Sequence, residues 1–187
     1  MLPVFLKLEG RRVLLVGAGP VAVGKLASLL AEGARVTVVA PEVRPEIEQA
    51  ARESGVDIRR RGFEPGDIDG VWWIVAAAPP EVNRQVLEAA EARCLFVNAV
   101  DDPPNATAYL GGVVRRAGVT VAISTDGRAP AMAGLLREAL DAWLPGDLER
   151  WMTAADEARR EWRRLGVPME ARRPMLLETL NRLYDER

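Results

Sequence analysis

Residues 12–22 read Arg-Val-Leu-Leu-Val-Gly-Ala-Gly-Pro-Val-Ala, and this stretch decides the fold. Its apolar part, Val13 to Val16, is typical of a strand that is covered on both faces, as in a parallel sheet. The remainder matches the pattern G-x-G-x-x-G/A, which joins a strand to a helix in dinucleotide-binding domains. The stretch therefore predicts a strand, a tight turn and the start of a helix at which a dinucleotide binds.

The small residues of this turn each have a physical role in the pattern. Gly17 permits the tight turn, Gly19 lets the backbone approach a pyrophosphate at the helix start, and Ala22 keeps the helix close to the strand. The candidates for cofactor binding are Gly17, Gly19, Pro20, Val21 and Ala22. The alternative that this motif leaves open is a glycine turn that binds no ligand.

Apolar runs and helical patterns alternate over the first hundred residues. The other apolar runs cover 35–40, 71–76 and 94–100. The helical patterns between the runs cover 21–32, 45–53 and 81–92. This alternation predicts a βαβ series, and hence an α/β fold with a Rossmann-like, doubly wound parallel sheet.

The pattern changes after Pro104, where two strands at 109–115 and 119–124 are followed by a helix from Pro130. The apolar residues of this helix recur at steps of three and four. They are Met132, Leu135, Leu136, Leu140 and Trp143. Further helical patterns complete the chain. We expect a dinucleotide-binding domain at 1–105, a small α+β dimerisation and substrate segment at 106–145, and a helical C-terminal domain at 146–187.

Composition excludes several kinds of chemistry. The chain has 187 residues, a net charge of -2, one cysteine and no histidine. These counts exclude a histidine base, a Ser-His-Asp triad, a histidine-ligated metal site and an internal disulfide. We expect no metal site, no nucleic-acid partner and no membrane span, since no apolar run approaches about 18 residues. The first residues do not resemble an export signal, so the expected location is cytoplasmic.

The second apolar run ends without the residue that usually binds the adenosine ribose. An Asp or Glu is expected at the end of this strand, whereas the chain reads Val-Ala-Pro-Glu at 39–42. Pro41 and Glu42 are therefore the candidates for ribose recognition. The motif by itself leaves both NAD and NADP open.

Further motifs follow and flank the glycine-rich turn. They are Leu-Pro-Val-Phe-Leu at 2–6, Gly-Ala-Arg-Val-Thr-Val at 33–38, Val-Asn at 82–83, Val-Asn-Ala-Val-Asp-Asp at 97–102, and Ala-Ile-Ser-Thr-Asp-Gly-Arg-Ala-Pro at 122–130. In this order and spacing, residues 1–145 resemble the precorrin-2 dehydrogenase and sirohydrochlorin ferrochelatase family, the N-terminal module of siroheme synthase. The chain departs from the family pattern at 76–79, where Ala-Ala-Ala-Pro replaces Ala-Thr-Asp-Asp, and at 108–111.

The resemblance implies NAD-dependent oxidation of precorrin-2 to sirohydrochlorin by a homodimer, in the siroheme or the cobalamin branch. It implies that Asp101 is the catalytic residue and that Thr125 lines the same site. The substrate carries many carboxylates, so Arg115, Arg116 and Arg128 are expected to bind it. Iron insertion by the same chain is a further activity that the resemblance leaves open.

Simpler interpretations exist for the same residues. The sequence Asp-Asp-Pro-Pro at 101–104 is typical of a turn and needs no catalytic role. The arginines are equally typical of a solvated surface. A rival hypothesis is a non-catalytic Rossmann module that senses NAD and reports to a partner. A short-chain dehydrogenase would need Tyr-x-x-x-Lys, which neither Tyr109 nor Tyr184 begins.

Overall fold

The computed structural model describes residues 1–185 and divides them into two compact units. The first unit runs from Met1 to Leu110, and the second begins at Gly111. The sequence predicts a boundary near Asn105, five residues earlier than this division. The first unit extends further because the N–H groups of Thr107 and Ala108 both donate hydrogen bonds to the Val97 carbonyl, which ties this segment to the sheet.

The first unit is a five-stranded parallel sheet with the strand order β3-β2-β1-β4-β5. Its strands are β1 (Arg12–Val16), β2 (Arg35–Val39), β3 (Asp57–Arg59), β4 (Trp73–Ala76) and β5 (Val97–Ala99). Its helices are α1 (Pro20–Ala31), α2 (Pro45–Ser54) and α3 (Pro80–Glu91). This arrangement confirms the predicted Rossmann-like α/β fold.

Helices cover both faces of this sheet because β1 is apolar on both sides. Val13 and Leu15 pack into one core with Leu26 of α1. Leu14 packs into the other core with Val86 of α3. Each of these side chains is at most 1% exposed. A continuous apolar run thus becomes a central strand, as expected for a parallel sheet.

Strand β3 was not predicted from the sequence. It has three residues, lies at the edge of the sheet and, among the described strands, pairs only with β2. Of its side chains only Ile58 is half-buried, so the segment lacks the apolar run that marks the other strands. Strands β4 and β5 are shorter than the predicted runs, and Cys94 before β5 adopts a left-handed backbone with φ 54°.

In residues 111–185, the described part of the second unit, the chain forms a β-hairpin and three helices. Strands β6 (Gly112–Arg116) and β7 (Val119–Ile123) are antiparallel, and Ala117 and Gly118 turn between them with positive φ. Helix α4 (Pro130–Trp143) packs on the hairpin. Helices α5 (Leu148–Arg164) and α6 (Met169–Asp185) pack on each other. The hairpin and the helix from Pro130 agree with the predicted elements.

Candidate functional site

A cleft of about 860 Å³ opens at the carboxyl ends of β1, β2 and β4. Its walls are the segments 16–20, 39–45 and 77–79, together with Gly62, Phe63 and Val82. The chain order reverses here, because β1 lies between β2 on one side and β4 on the other. In open α/β sheets ligands bind at this switch point, beyond the carboxyl ends of the strands.

Gly17 allows the turn after β1 to approach the loop after β4 at the cleft. Its φ is +100°, and a Cβ atom at this position would collide with the carbonyl oxygen of Ala77. The Gly17 N–H donates to the carbonyl of Val39, at a distance of 2.9 Å, so the turn is tied to β2 as well. Only glycine satisfies both the backbone conformation and the close approach to the loop after β4.

Gly19 leaves space where Gly17 has none. Within residues 1–185, and apart from the chain neighbours of Gly19, no heavy atom lies within 4 Å of a Cβ built on Gly19. No side chain of these residues caps the helix that starts at Pro20. The N–H groups in the first turn of a helix attract anions such as a pyrophosphate. This cradle, open at a glycine and lined by backbone, fits a dinucleotide.

The other residues of the predicted motif take different positions. Ala22 is fully buried in the core beside β1, where it keeps helix and strand close. Val21 is 48% exposed on α1 and does not line the cleft. Pro41 and Glu42 follow β2, line that end of the cleft and are exposed.

Arg44 lies in the cleft wall and was not singled out in the sequence. Its guanidinium donates two hydrogen bonds to Glu46, with distances of 3.2 Å and 3.0 Å. This exposed ion pair lowers the pKa of the Glu46 carboxyl. The positive charge near Glu42 is thus already matched by a carboxylate.

A buried carboxylate supports the wall formed by Gly62 and Phe63. Asp67 accepts hydrogen bonds from the Arg61 guanidinium at 2.6 Å and 2.8 Å, from Arg59 at 2.7 Å and from the Glu64 N–H at 2.9 Å. These bonds, above all those from Arg61, outweigh burial and lower the pKa of Asp67 to about 2. This cluster is not predicted from the sequence, because its members lie in a segment with no apolar periodicity.

Asp101 follows β5 at the carboxyl edge of the sheet and has an unusual backbone. Its φ is 56°, in the left-handed region, and its side chain is exposed. A non-glycine residue in this region is uncommon, although Asp and Asn tolerate it better than others. The residues that line the cleft do not include Asp101, which lies in the turn after β5, the strand next to β4 in the sheet.

Asp102, the next residue, is half-buried and accepts hydrogen bonds from two side-chain amides. Its Oδ2 accepts hydrogen bonds from Asn83 at 2.9 Å and from Asn105 at 2.8 Å. Asn98, on β5, donates to the Ala108 carbonyl, and its Oδ1 has no hydrogen-bond partner among the described residues. Of the two neighbouring carboxylates, that of Asp101 is therefore exposed, and that of Asp102 bonds the loop after β5 to Asn83 and Asn105.

The predicted substrate residues all lie in the second unit. Thr125, half-buried, follows β7 and accepts a hydrogen bond from the Ala129 N–H. Arg128 is exposed in the same loop. Arg115 and Arg116 are neighbours on β6, with Arg115 exposed and Arg116 half-buried.

The guanidinium of Arg116 bonds to residues of the second unit, to which Arg116 itself belongs. It forms an ion pair with Asp141 at 2.7 Å and donates to the Leu144 carbonyl at 3.1 Å. These bonds fasten β6 to the end of α4. A role for Arg116 in substrate binding stays a prediction, as do those of the other three residues.

Two further observations concern the described part of the chain, residues 1–185. Within it, no group of three or more Asp, Glu or Cys side chains is placed to hold a metal ion. Within the same residues, no helix has the length and apolar character needed to cross a membrane.

The fold and the glycine-lined cleft define an NAD(P)-binding protein of the Rossmann type. A family model described as putative NAD(P)-binding matches residues 4–112, and the chain belongs to that family.

Among curated proteins, a siroheme synthase of Pseudomonas entomophila (strain L48) is 43% identical over 145 residues, which are 77% of this chain and 31% of that protein. A siroheme synthase of Photorhabdus laumondii subsp. laumondii is 36% identical over 181 residues, which are 96% of this chain and 38% of that protein. The chain thus spans about a third of the length of the curated relatives it matches.

A solved structure described as "SirC, precorrin-2 dehydrogenase" is similar over almost the whole chain. The TM-score is 0.71 and the identity 27%, with 95% of this chain and 88% of that chain covered. These comparisons confirm the family resemblance inferred from the motifs.

Proposed function

We propose that this protein oxidises precorrin-2 to sirohydrochlorin with NAD as the electron acceptor. The observation that carries the proposal is the similarity over 95% of the chain to the structure described as a precorrin-2 dehydrogenase. The cleft at Gly17 and Gly19, with Asp101 in the turn after β5 at the same edge of the sheet, is consistent with it. A non-catalytic NAD sensor is not favoured, because such a module would have no use for an exposed carboxylate on a strained backbone.

The oxidation removes one hydride and one proton from the ring of the substrate. Bound NAD supplies the acceptor for the hydride, which carries two electrons. The backbone around Gly19 and the start of α1 would hold the pyrophosphate, and Pro41 and Glu42 would contact the adenosine ribose. The exposed Asp101 carboxylate would take the proton, because loss of hydride leaves a ring cation that becomes product only when a proton departs.

NAD rather than NADP is favoured by the charges at the ribose end of the cleft. Glu42 is an acceptor for a ribose hydroxyl, and it would repel the phosphate of NADP. Arg44 does not offset this repulsion, because Glu46 already neutralises its guanidinium. Measured dissociation constants for NAD and NADP test this preference directly.

The substrate requires positive charge, which the second unit supplies. Arg115 and Arg128 are exposed, and Arg116 follows Arg115 on β6. Arginine binds carboxylates through paired hydrogen bonds, and a ring with many carboxylates suits several arginines at once. Thr125, in the loop before α4, would contact the same substrate.

A homodimer is the proposed assembly. Four apolar side chains on α4 are exposed in the single chain, namely Met132 at 51%, Leu135 at 62%, Leu136 at 42% and Trp143 at 77%. A two-stranded hairpin and one helix supply too little core to be stable with such a face in water. A second copy of the chain would cover this face. The cytoplasmic location stays a prediction from the sequence.

One assay tests the activity. Purified protein is mixed with precorrin-2 and NAD under anaerobic conditions, and NADH and the sirohydrochlorin spectrum are followed together. We expect one NADH for each sirohydrochlorin formed. Binding of NAD without any NADH formation would instead support the sensing module. Repeating the assay with Fe²⁺ or Co²⁺ shows whether the protein also accelerates metal insertion, an activity suggested by the relatives named siroheme synthase.

A further inference from the structure

Asn83 is a buried amide that the proposed site does not use. It lies in the first turn of α3, only 1% of it is exposed, and its backbone N–H donates to the carbonyl of Pro79. Asparagine is uncommon at such depth unless its polar atoms are satisfied. Both polar groups of the side chain are in fact bonded, and they reach two different functional segments.

The side-chain oxygen of Asn83 bonds to the wall of the cleft. Its Oδ1 accepts a hydrogen bond from the Ala78 N–H at 3.3 Å. Ala78 lines the cleft, and it follows Ala77, whose carbonyl is the group that Gly17 approaches. The amide oxygen therefore helps to fix the backbone of the loop after β4.

The side-chain nitrogen of Asn83 bonds to the loop that carries Asp101. Its Nδ2 donates to Oδ2 of Asp102 at 2.9 Å, and Asn105 donates to the same oxygen at 2.8 Å. Asp102 is the residue directly after Asp101. The two amides thus hold the carboxylate of Asp102, and with it the backbone on which Asp101 adopts its left-handed conformation.

We propose that Asn83 is a positioning residue that fixes the candidate base Asp101 relative to the cofactor cleft. This inference rests on the proposed dehydrogenase function. One primary amide bridges the two loops because it accepts at one end and donates at the other. Catalysis depends on the separation of the reacting groups, and a displacement of about 1 Å can cost about 100-fold in rate. Asn83 acts on this separation without contacting the reactants.

The test uses a substitution that breaks the bridge and a second one that repairs it. In Asn83→Asp a carboxylate replaces the donor and faces the carboxylate of Asp102, which repels it. In the double variant Asn83→Asp with Asp102→Asn, the donor and the acceptor change places. The carboxylate at 83 then accepts from both the Ala78 N–H and the new amide, and Asn105 can rotate its amide to follow.

Steady-state kinetics separate positioning from binding. We expect Asn83→Asp to lower kcat at least about 10-fold, with the KM for precorrin-2 and the dissociation constant of NAD within about threefold of wild type. The double variant should recover most of the lost kcat. Gln85→Ala removes an exposed amide from the same helix and is the matched control, with kinetics like those of wild type. All assays are run below the thermal unfolding midpoint of each variant.

Amide hydrogen exchange provides a readout that does not need activity. In Asn83→Ala we expect faster exchange at Ala78 and in the loop 100–106 together, since both lose the same partner. Faster exchange in only one segment, or a folded Asn83→Asp variant with the kcat of wild type, would overturn the inference. An inactive wild-type protein would refute the proposed function instead, while the exchange experiment would still decide whether Asn83 couples the two loops.

Discussion

A Cβ atom on Gly17 would overlap the carbonyl oxygen of Ala77, so the turn after β1 and the loop after β4 are in contact through bare backbone. This contact brings together the two loops that flank the switch point of the sheet. It also explains how the chain retains the cleft although Ala-Ala-Ala-Pro at 76–79 departs from the family pattern. The approach is made by main-chain atoms, which substitutions in the second loop leave in place.

Gly17→Ala should destabilise the protein. The added methyl group meets the Ala77 carbonyl, and the φ of +100° is unfavourable for alanine. We expect a loss of about 3 kcal/mol in the free energy of unfolding, measured by urea titration. Gly24→Ala is the control, because Gly24 is inside α1 with open space around it and alanine there should stabilise by about 0.5–1 kcal/mol. Similar stability for the two variants would contradict the role given to Gly17.

Gly19→Val should separate binding from folding. Among the described residues other than its chain neighbours, no heavy atom lies within 4 Å of a Cβ at this position, so the fold should survive with an unfolding midpoint near that of wild type. The branched side chain would occupy the space in which a pyrophosphate approaches the backbone. We expect no measurable NAD binding by calorimetry. If NAD binds to this variant as tightly as to wild type, the cofactor does not lie at this turn.

The sequence predicts the parts of the fold that depend on local pattern. The run Val13 to Val16 predicts a strand buried on both faces, and the glycine spacing after it predicts the turn. Strand β3 escapes prediction because a three-residue edge strand is held by pairing with β2 rather than by its own side chains. The positions of Arg44 and Phe63 in the cleft are not predicted for a similar reason, because their loops come together only when the sheet has folded.

The hydrogen bond between Asn83 and Asp102 cannot be predicted from the sequence. The two residues are nineteen positions apart, and no spacing rule connects them. The alternation of side chains along a strand predicts that Asp101 and Asp102 face different ways. Both residues lie beyond the end of β5, where Asp101 has a left-handed backbone, and the structure leaves Asp101 exposed while Asp102 accepts hydrogen bonds. The sequence does not predict which amide donates to the Asp102 carboxylate, because that depends on how α3 packs.

Asp67→Asn should remove a pH dependence of stability at acid pH. The pKa of Asp67 is lowered to about 2, so its contribution is fully present above its unfolded value near 4 and is lost as the pH falls through 2. A shift of this size corresponds to about 2 kcal/mol. We expect the variant to be less stable by about this amount at pH 7 and to show a smaller loss between pH 4 and 2. Parallel curves of unfolding free energy against pH for the two proteins would contradict this.

Leu135→Asp should weaken the proposed dimer. Leu135 is 62% exposed in the single chain, and a charge there would be costly in an apolar interface. Light scattering should give twice the chain mass of 20.4 kDa for wild type at micromolar concentration and a smaller mass for the variant. Gln85→Asp, on α3 outside this face, should leave the mass unchanged. A wild-type mass of one chain would refute the dimer.

Asp101→Asn should remove the base and leave its surroundings intact. Asparagine has the same size and tolerates the φ of 56°, so the turn should be preserved. A positioned carboxylate typically contributes about 10²–10⁴ in rate, and we expect sirohydrochlorin formation to fall at least about 100-fold while NAD still binds and the mass in solution is unchanged. Asp102→Asn should cost much less, because its remaining oxygen can still accept from Asn83 and Asn105. Equal losses in both variants would indicate a structural pair.

Asp101→Gly provides the complementary test of the same residue. Glycine has no Cβ and adopts a positive φ without strain, so this variant should be more stable than wild type by about 1 kcal/mol. If the role of Asp101 were only to make the turn, the stabilised variant would keep its activity. Because we assign the proton transfer to its carboxylate, we expect Asp101→Gly to be as inactive as Asp101→Asn. Turnover at the wild-type rate in either variant, measured as NADH formed from precorrin-2, would refute the assignment of Asp101 as the base.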